Sequence, residues 1–178
     1  GQGRVVDAVH TGGKKRVNEL AYDPRDNIVI AENSDDEPEF VTLISAAPGH
    51  PILAKIPLPM AASPLERIVY DAPKDRFYVS VPALKGLPGR GGLAEIDPVR
   101  ATLVAMHVVE DCNPHGLSLV SDTTFFIGCG ANAQENPHGA NHVALYDLAA
   151  GKVGTYVAGL VGAGETAADL VLGRYYVA

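Results

Sequence analysis

Features that define several common functional classes are missing from this 178-residue sequence. Tryptophan is absent, so no tryptophan-based stacking platform is available, and cysteine occurs only twice. The 14 lysines and arginines are outnumbered by 21 acidic residues, and the net charge of −7 argues against a nucleic-acid partner. No apolar run approaches the roughly 18 residues of a membrane-spanning helix. Motifs of the P-loop, the serine-hydrolase elbow and the HExxH zinc proteases are also missing.

Glycine and proline are plentiful, with 19 and 13 residues, and hydrophobic residues make up 47% of the chain. Such a composition indicates a globular protein rather than a disordered one. Frequent turn residues between short runs of β-branched and aromatic residues favour an all-β fold over a helical one.

A pattern of apolar run, polar turn and second apolar run occurs four times. The copies are residues 19–31, 67–80, 116–128 and 169–178, and an equivalent leucine or isoleucine falls at positions 20, 68, 117 and 170. Each of the first three copies continues with a loop and two more apolar runs. Repeats of 48, 49 and 53 residues match the length of a four-stranded propeller blade, about 40–50 residues.

The repeats therefore predict an all-β β-propeller. We expect complete blades at about 17–58, 66–109 and 113–158, and partial blades at 4–9 and 168–178. On this interpretation the chain is part of a propeller of six or seven blades, and both ends are interruptions of a longer repeat. The alternative is an open sandwich of about a dozen strands, which does not require a near-constant period.

The segment Asn113–Leu117, followed by Phe125–Gly128, resembles the hairpin of the YVTN/NHL-type bacterial propeller repeats, which gluconolactonase-type and surface-layer propellers share. The segments 22–24, 40–44 and 76–82 are similar to a group of uncharacterised exported six-bladed bacterial propellers. The resemblance implies a propeller fold for nearly the whole chain. It implies less about function, because one scaffold hosts lactonases, ligand binders and passive scaffolds.

In propellers of this kind, residues just before the innermost strand of each blade surround the mouth of a central channel. The equivalent residues here are Asn18, Glu19, Glu66, Arg67, Asn113, His115 and Asp169. Carboxylates and amides suit hard divalent cations such as Ca²⁺ or Mg²⁺. In gluconolactonase-type enzymes such an ion polarises a lactone carbonyl.

Two functions follow from these residues. The first is a non-catalytic module of an exported bacterial protein that binds a small molecule or a protein partner. The second is a lactonase- or esterase-type hydrolase that uses Glu19, Asn113 and Asp169 around a divalent cation, Ca²⁺, Mg²⁺ or Zn²⁺. Arg67 and His115 stand where that family would supply oxygen ligands, so the polar residues could instead surround ordered water.

Histidines form a second group. His138 and His142 flank a glycine-containing loop, and His115 begins the same predicted blade. Imidazoles that converge could bind Zn²⁺ or Cu²⁺, and the alternative is a set of solvated loop histidines.

The segment 32–39 carries five carboxylates, and we interpret it as a solvated acidic loop because it lacks the spacing of an EF-hand.

Cys112 and Cys129 fall at opposite ends of one predicted hairpin, which would bring them close together. A disulfide there would close a loop of about 18 residues, stabilise the fold by about 3 kcal/mol, and suit an extracellular or periplasmic protein. Two buried free thiols are the alternative.

Because unfinished blades would expose sheet edges, we also expect the chain to need further blades, or another copy of itself, for closure.

Overall fold

The described residues form fourteen β-strands, arranged as three four-stranded sheets and one hairpin. The computed structural model describes residues 3–5, 7–130, 142–160 and 163–178. Within each sheet the strands follow chain order and every neighbouring pair is antiparallel. The all-β prediction, with three four-stranded antiparallel units, is therefore confirmed.

Sheet 1 comprises β1 (Val17–Asp23), β2 (Ile28–Asn33), β3 (Phe40–Ser45) and β4 (Ile52–Pro57). Sheet 2 comprises β5 (Ile68–Asp71), β6 (Arg76–Val81), β7 (Gly91–Asp97) and β8 (Thr102–Val109). Sheet 3 comprises β9 (Pro114–Leu119), β10 (Thr124–Cys129), β11 (His142–Asp147) and β12 (Lys152–Ala158). A final hairpin comprises β13 (Thr166–Asp169) and β14 (Arg174–Val177).

The first strands of consecutive units lie side by side. Strand β1 contacts β5, β5 contacts β9, and β9 contacts β13. Except for Asp169, which ends β13, the mouth residues predicted from the sequence lie near the beginning of these first strands, so the arrangement brings residues about 48 positions apart into one region.

Hydrophobic cores lie between successive sheets, and β6 contributes to two of them. Phe77 and Val79 belong to the core shared with sheet 1, whereas Tyr78 belongs to the core shared with sheet 3 and lies edge-on to Phe125. Successive side chains of a strand point to opposite faces, so a central sheet buried on both sides needs apolar residues at consecutive positions. All residues of Phe77–Val81 are buried, and all except Ser80 are apolar, which meets this requirement.

Aspartates begin most of the tight turns. In each case the carboxylate accepts a hydrogen bond from a backbone amide two or three residues later, as at Asp23, Asp71, Asp97, Asp147 and Asp169. A short side chain that bonds to its own turn explains why this residue type recurs at these positions.

The register of the fourth copy differs from the prediction. Leu170 was expected on a first strand, but it lies in the turn that follows Asp169. Thr166 takes the equivalent place, because it pairs with the fourth residue of the next strand, Val177, as Leu117 pairs with Ile127. The equivalent positions 20, 68, 117 and 166 are then 48, 49 and 49 residues apart.

The prediction of a strand over residues 4–9 is wrong for the residues described there, since β1 is the first strand and begins at Val17. No strand of the described residues pairs with this segment through ladder hydrogen bonds. The following residues instead attach to sheet 1 through side chains. Asn33 Nδ2 donates to Thr11 Oγ1 at 2.7 Å, and Asp36 accepts the backbone amide of Lys14 at 2.9 Å.

Candidate functional site

The structure brings most of the predicted mouth residues together at one end of the first strands. Asn18 and Glu19 lie on β1, Glu66 precedes β5, and Asn113 and His115 lie at the beginning of β9. Successive first strands contact each other, so these side chains share one region although they come from three repeats.

Arg67 links two of the carboxylates in this region. Its Nη1 lies 3.1 Å from Glu19 Oε2 and 3.3 Å from Glu165 Oε2. Glu165 directly precedes β13. It is the residue of the fourth copy that corresponds to Arg67 in the second, a position that the predicted register had given to Asp169. A single guanidinium therefore joins the first, second and fourth units, and Glu19 is not free to act as a simple metal ligand.

Asp169 lies outside this region. It ends β13 and its carboxylate accepts the backbone amides of Val171 and Leu172, both at 3.0 Å. Its placement at the channel mouth is wrong because the prediction aligned Leu170, rather than Thr166, with the other first strands.

Glu32 is a functional candidate that the sequence interpretation missed. It belongs to β2 and is completely buried, and neither carboxylate oxygen has a hydrogen-bond partner in the described part of the chain. Burial, which has the largest effect, and the carboxylates of Glu66 and Glu19 raise its pKa to about 8, against the lowering effects of the nearby Asn18 side chain and Glu19 backbone. The raised pKa favours the neutral, protonated form of Glu32 at neutral pH.

A periodic signal in the sequence could have identified Glu32. It follows Ile28 and Ile30 at two-residue intervals, so it lies on the same face of β2 as these core residues. The prediction of a solvated acidic loop over 32–39 is wrong in this respect. Glu32, Asp36 and Glu39 are all buried, and burial also raises the pKa of Glu39.

Beside these carboxylates lies a small pocket of about 200 Å³ between sheets 2 and 3. Its walls combine polar and apolar side chains, which are Ser63, Pro64, Glu66, Pro82, Ala83, Asn113 and His115. We refer to it as the Glu66 pocket.

Backbone carbonyl groups hold two polar side chains of the Glu66 pocket in place. Asn113 Nδ2 donates to the carbonyl oxygen of Pro82 at 2.9 Å, and His115 Nδ1 lies 2.8 Å from the Asn113 carbonyl oxygen. Because a carbonyl only accepts, this contact places a proton on Nδ1. Partial burial raises the pKa of Glu66, while His115 and Arg16 lower it.

Of the predicted histidine group, His138 lies outside the described residues. His115 belongs to the Glu66 pocket, whereas His142 is buried on β11, opposite Cys129 and edge-on to the ring of Tyr156. In the described ranges, sets of three acidic, cysteine or histidine residues with ligand atoms within 4.8 Å of one another include Cys112, Cys129 and His142. The two sulfur atoms of that set are bonded to each other, so it does not fit a metal ion.

The mouth carboxylates form no such set among the described residues. The carboxylate of Glu19 is paired with Arg67 and that of Asp169 is bonded within its own turn, so the structure does not bring Glu19, Asn113 and Asp169 into one ligand set. The geometry offers a mixed polar pocket beside a buried glutamate whose pKa is raised.

The predicted disulfide between Cys112 and Cys129 is confirmed, with Cα atoms 5.0 Å apart. It joins the beginning of sheet 3 to the end of β10, and it is consistent with an oxidising compartment. Among the described residues, no helix has the length and apolar character needed to cross a bilayer.

Comparison of the chain with protein-family models gave no match, and comparison with curated proteins gave none either.

Proposed function

We propose that the three sheets and the hairpin are consecutive blades of a β-propeller of the YVTN/NHL type, and that the chain is a non-catalytic binding module of an exported bacterial protein. The near-constant repeat of 48 or 49 residues and the side-by-side first strands support the propeller. The disulfide supports an extracellular or periplasmic location.

The Glu66 pocket is the observation that carries the binding proposal. It lies between two sheets and offers a carboxylate, an imidazole and an amide beside the apolar surfaces of Pro64 and Pro82. A volume of about 200 Å³ suits a small molecule rather than a peptide. We expect a ligand that combines hydroxyl or amino groups with a short apolar part.

A hydrolytic function has less support because its three proposed residues do not converge. Glu19 is paired with Arg67, and Asp169 lies at a turn. The proposed ligand therefore binds without chemical change, through hydrogen bonds to Glu66 and His115.

Saturation-transfer NMR with a panel of monosaccharides and amino alcohols tests this function. We expect at least one compound to bind the wild-type chain and to lose most of its affinity for Glu66→Gln, which keeps the shape of the side chain but removes its charge. Glu37→Gln is a matched control, because Glu37 is exposed and lies outside the pocket.

Failure of the whole panel, or equal binding by the two variants, would contradict the proposal. Binding that disappears on addition of a chelator, or a product formed from a lactone substrate, would favour the metal-dependent hydrolase instead.

We also propose that further blades, or a second copy of this chain, cover the outer face of sheet 1. This face holds an open apolar pocket of about 400 Å³ that includes Val17, Leu20 and Val29. Leu20 and Tyr22 are exposed there, although first-strand residues of sheets 2 and 3 are covered by a neighbouring sheet. Sedimentation velocity of the wild-type chain and of Leu20→Lys tests this idea: association that the substitution abolishes supports it, and a monomeric wild type at micromolar concentration contradicts it.

A further inference from the structure

Two hairpin turns meet at the opposite end of the first strands from the Glu66 pocket. The β1–β2 turn and the β5–β6 turn are joined by Arg25, whose Nη2 donates to the Ala72 carbonyl oxygen at 3.3 Å. In this place Asp23, Asp26 and Asp75 each have a carboxylate oxygen within 4.8 Å of the other two. We refer to these three residues as the turn triad.

Asp23 gives the turn triad a feature that an ordinary group of surface acids lacks. Its side chain is completely buried, and its Oδ1 accepts the backbone amides of Arg25 and Asp26 at 2.8 and 3.3 Å. Its Oδ2 is also buried and has no hydrogen-bond partner among the described residues. A buried carboxylate oxygen without a partner is costly, so a cation beside this atom would be stabilising.

The equivalent aspartate of the β5–β6 turn shows what this oxygen meets in the next repeat. Asp71 Oδ2 lies 2.8 Å from Lys74 Nζ. Asp97, a buried aspartate of the β7–β8 turn, is also paired, with Oδ2 3.1 Å from Nη2 of Arg76 on β6. The residue that corresponds to Lys74 in the β1–β2 turn is Asp26, so a carboxylate stands where the β5–β6 turn has an ammonium group.

Arg25 does not neutralise Asp23 in the way that Lys74 neutralises Asp71. Arg25 Nη1 lies 3.5 Å from Asp75 Oδ2, and the arginine side chain is 56% exposed. One guanidinium therefore stands beside three carboxylates, and negative charge is in excess in the triad.

We propose that the turn triad binds a calcium ion, which takes the place that Lys74 fills in the β5–β6 turn. Three carboxylates on turns are hard oxygen ligands. Ca²⁺ accepts irregular sets of six to eight oxygens, including water, whereas Mg²⁺ demands near-octahedral geometry. The ion would join sheets 1 and 2 at the end remote from the Glu66 pocket, and this site does not depend on the proposed ligand binding.

Terbium luminescence offers a direct test, because Tb³⁺ replaces Ca²⁺ in oxygen sites and is sensitised by nearby aromatic rings. Tyr70 donates its hydroxyl proton to Asp75 Oδ1 at 2.8 Å, and the chain contains no tryptophan to give a competing signal. We expect saturable tyrosine-sensitised emission from the wild-type chain, and displacement of Tb³⁺ by added Ca²⁺.

Substitutions in the turn triad test whether the ion binds there. Asp26→Asn and Asp75→Asn each remove one ligand charge and are expected to weaken Ca²⁺ binding by about tenfold or more. Asp122→Asn, on an exposed turn far along the chain, is the control and should bind like the wild type. Arg25→Gln removes the competing cation and should bind several-fold more tightly.

Thermal unfolding with and without Ca²⁺ gives a second readout that does not depend on luminescence. The wild-type chain should melt at a higher temperature in Ca²⁺, and Asp26→Asn should not, because only a folded-state site contributes linkage stabilisation. Absence of sensitised emission and of a Ca²⁺-dependent melting shift in the wild type would overturn the proposal. So would emission that Asp26→Asn, Asp75→Asn and Asp122→Asn leave equally unchanged.

Discussion

Arg67 and Glu19 form an ion pair across two sheets, with 3.1 Å between Nη1 and Oε2, although 48 positions separate them in the chain. The same guanidinium also reaches Glu165 at 3.3 Å. The guanidinium thus lies between two carboxylates that come from the first and fourth units, and it offsets the repulsion between them.

Replacing this arginine should destabilise the contact between sheets. We expect Arg67→Gln to lower the free energy of unfolding by about 1 kcal/mol, a modest value because the pair is partly exposed and screened by solvent. Chemical denaturation at neutral pH measures the change. Arg90→Gln, which removes an exposed pair with Glu110, should have a smaller effect, and an equal loss in both variants would contradict the bridging role.

The buried Glu32 should make stability depend on pH. Below its ordinary pKa of 4.5 the carboxyl is protonated in both the folded and the unfolded state, so it has no effect. As pH rises from about 4.5 to about 8, the unfolded chain loses the proton while the folded chain keeps it, and the free energy of unfolding falls.

Glu32→Gln should remove this dependence. The variant is expected to match the wild type near pH 4.5 and to exceed its stability by an amount on the order of a few kcal/mol above pH 8. Denaturant melts across this pH range measure the difference, with the exposed Glu110→Gln as the control. Parallel pH profiles for Glu32→Gln and the wild type would rule out the raised pKa.

Reduction of the disulfide should lower stability without changing the fold. Cys112 and Cys129 are 17 positions apart, and removing a cross-link over a loop of this length costs about 3 kcal/mol through the entropy of the unfolded chain. The double variant Cys112→Ser/Cys129→Ser should therefore melt at a lower temperature while its far-ultraviolet circular dichroism stays unchanged. Equal melting temperatures for this variant and the oxidised wild type would argue against the stabilising role.

Gly128 allows close approach between sheet 3 and the segment before β13. A Cβ atom added there would overlap the backbone carbonyl oxygen of Ala163, which cannot rotate away as a flexible side chain could. Gly128→Ala should cost about 1–3 kcal/mol and increase hydrogen exchange in β13 and β14. At Gly154, another strand glycine, the nearest atom is 3.8 Å away, so Gly154→Ala should be close to neutral.

The hairpins and the disulfide could be predicted from the sequence because both depend on local chemistry. Alternating apolar runs separated by aspartate-led turns specify strands at a repeat of about 48 residues, and Cys112 and Cys129 face each other once β9 and β10 pair. The fourth copy was misaligned because Thr166-Ala167-Ala168 has weaker strand character than Leu170-Val171-Leu172. Tertiary contacts decide that register, since the Thr166 hydroxyl lies 2.9 Å from the Ser118 hydroxyl of the neighbouring sheet.

The sequence by itself indicated that the chain is all-β, placed the turns of its first three repeats, and favoured a bridge between its two cysteines, because each of these follows from interactions within one sheet. Only the tertiary structure decided which charged groups meet. Arg67 reaches both Glu19 and Glu165, Glu32 is buried beside Glu66, and Asp26 approaches Asp75, in every case across the boundary between repeats. Such contacts depend on how separate sheets pack against each other, and a short-range sequence pattern carries no information about that packing.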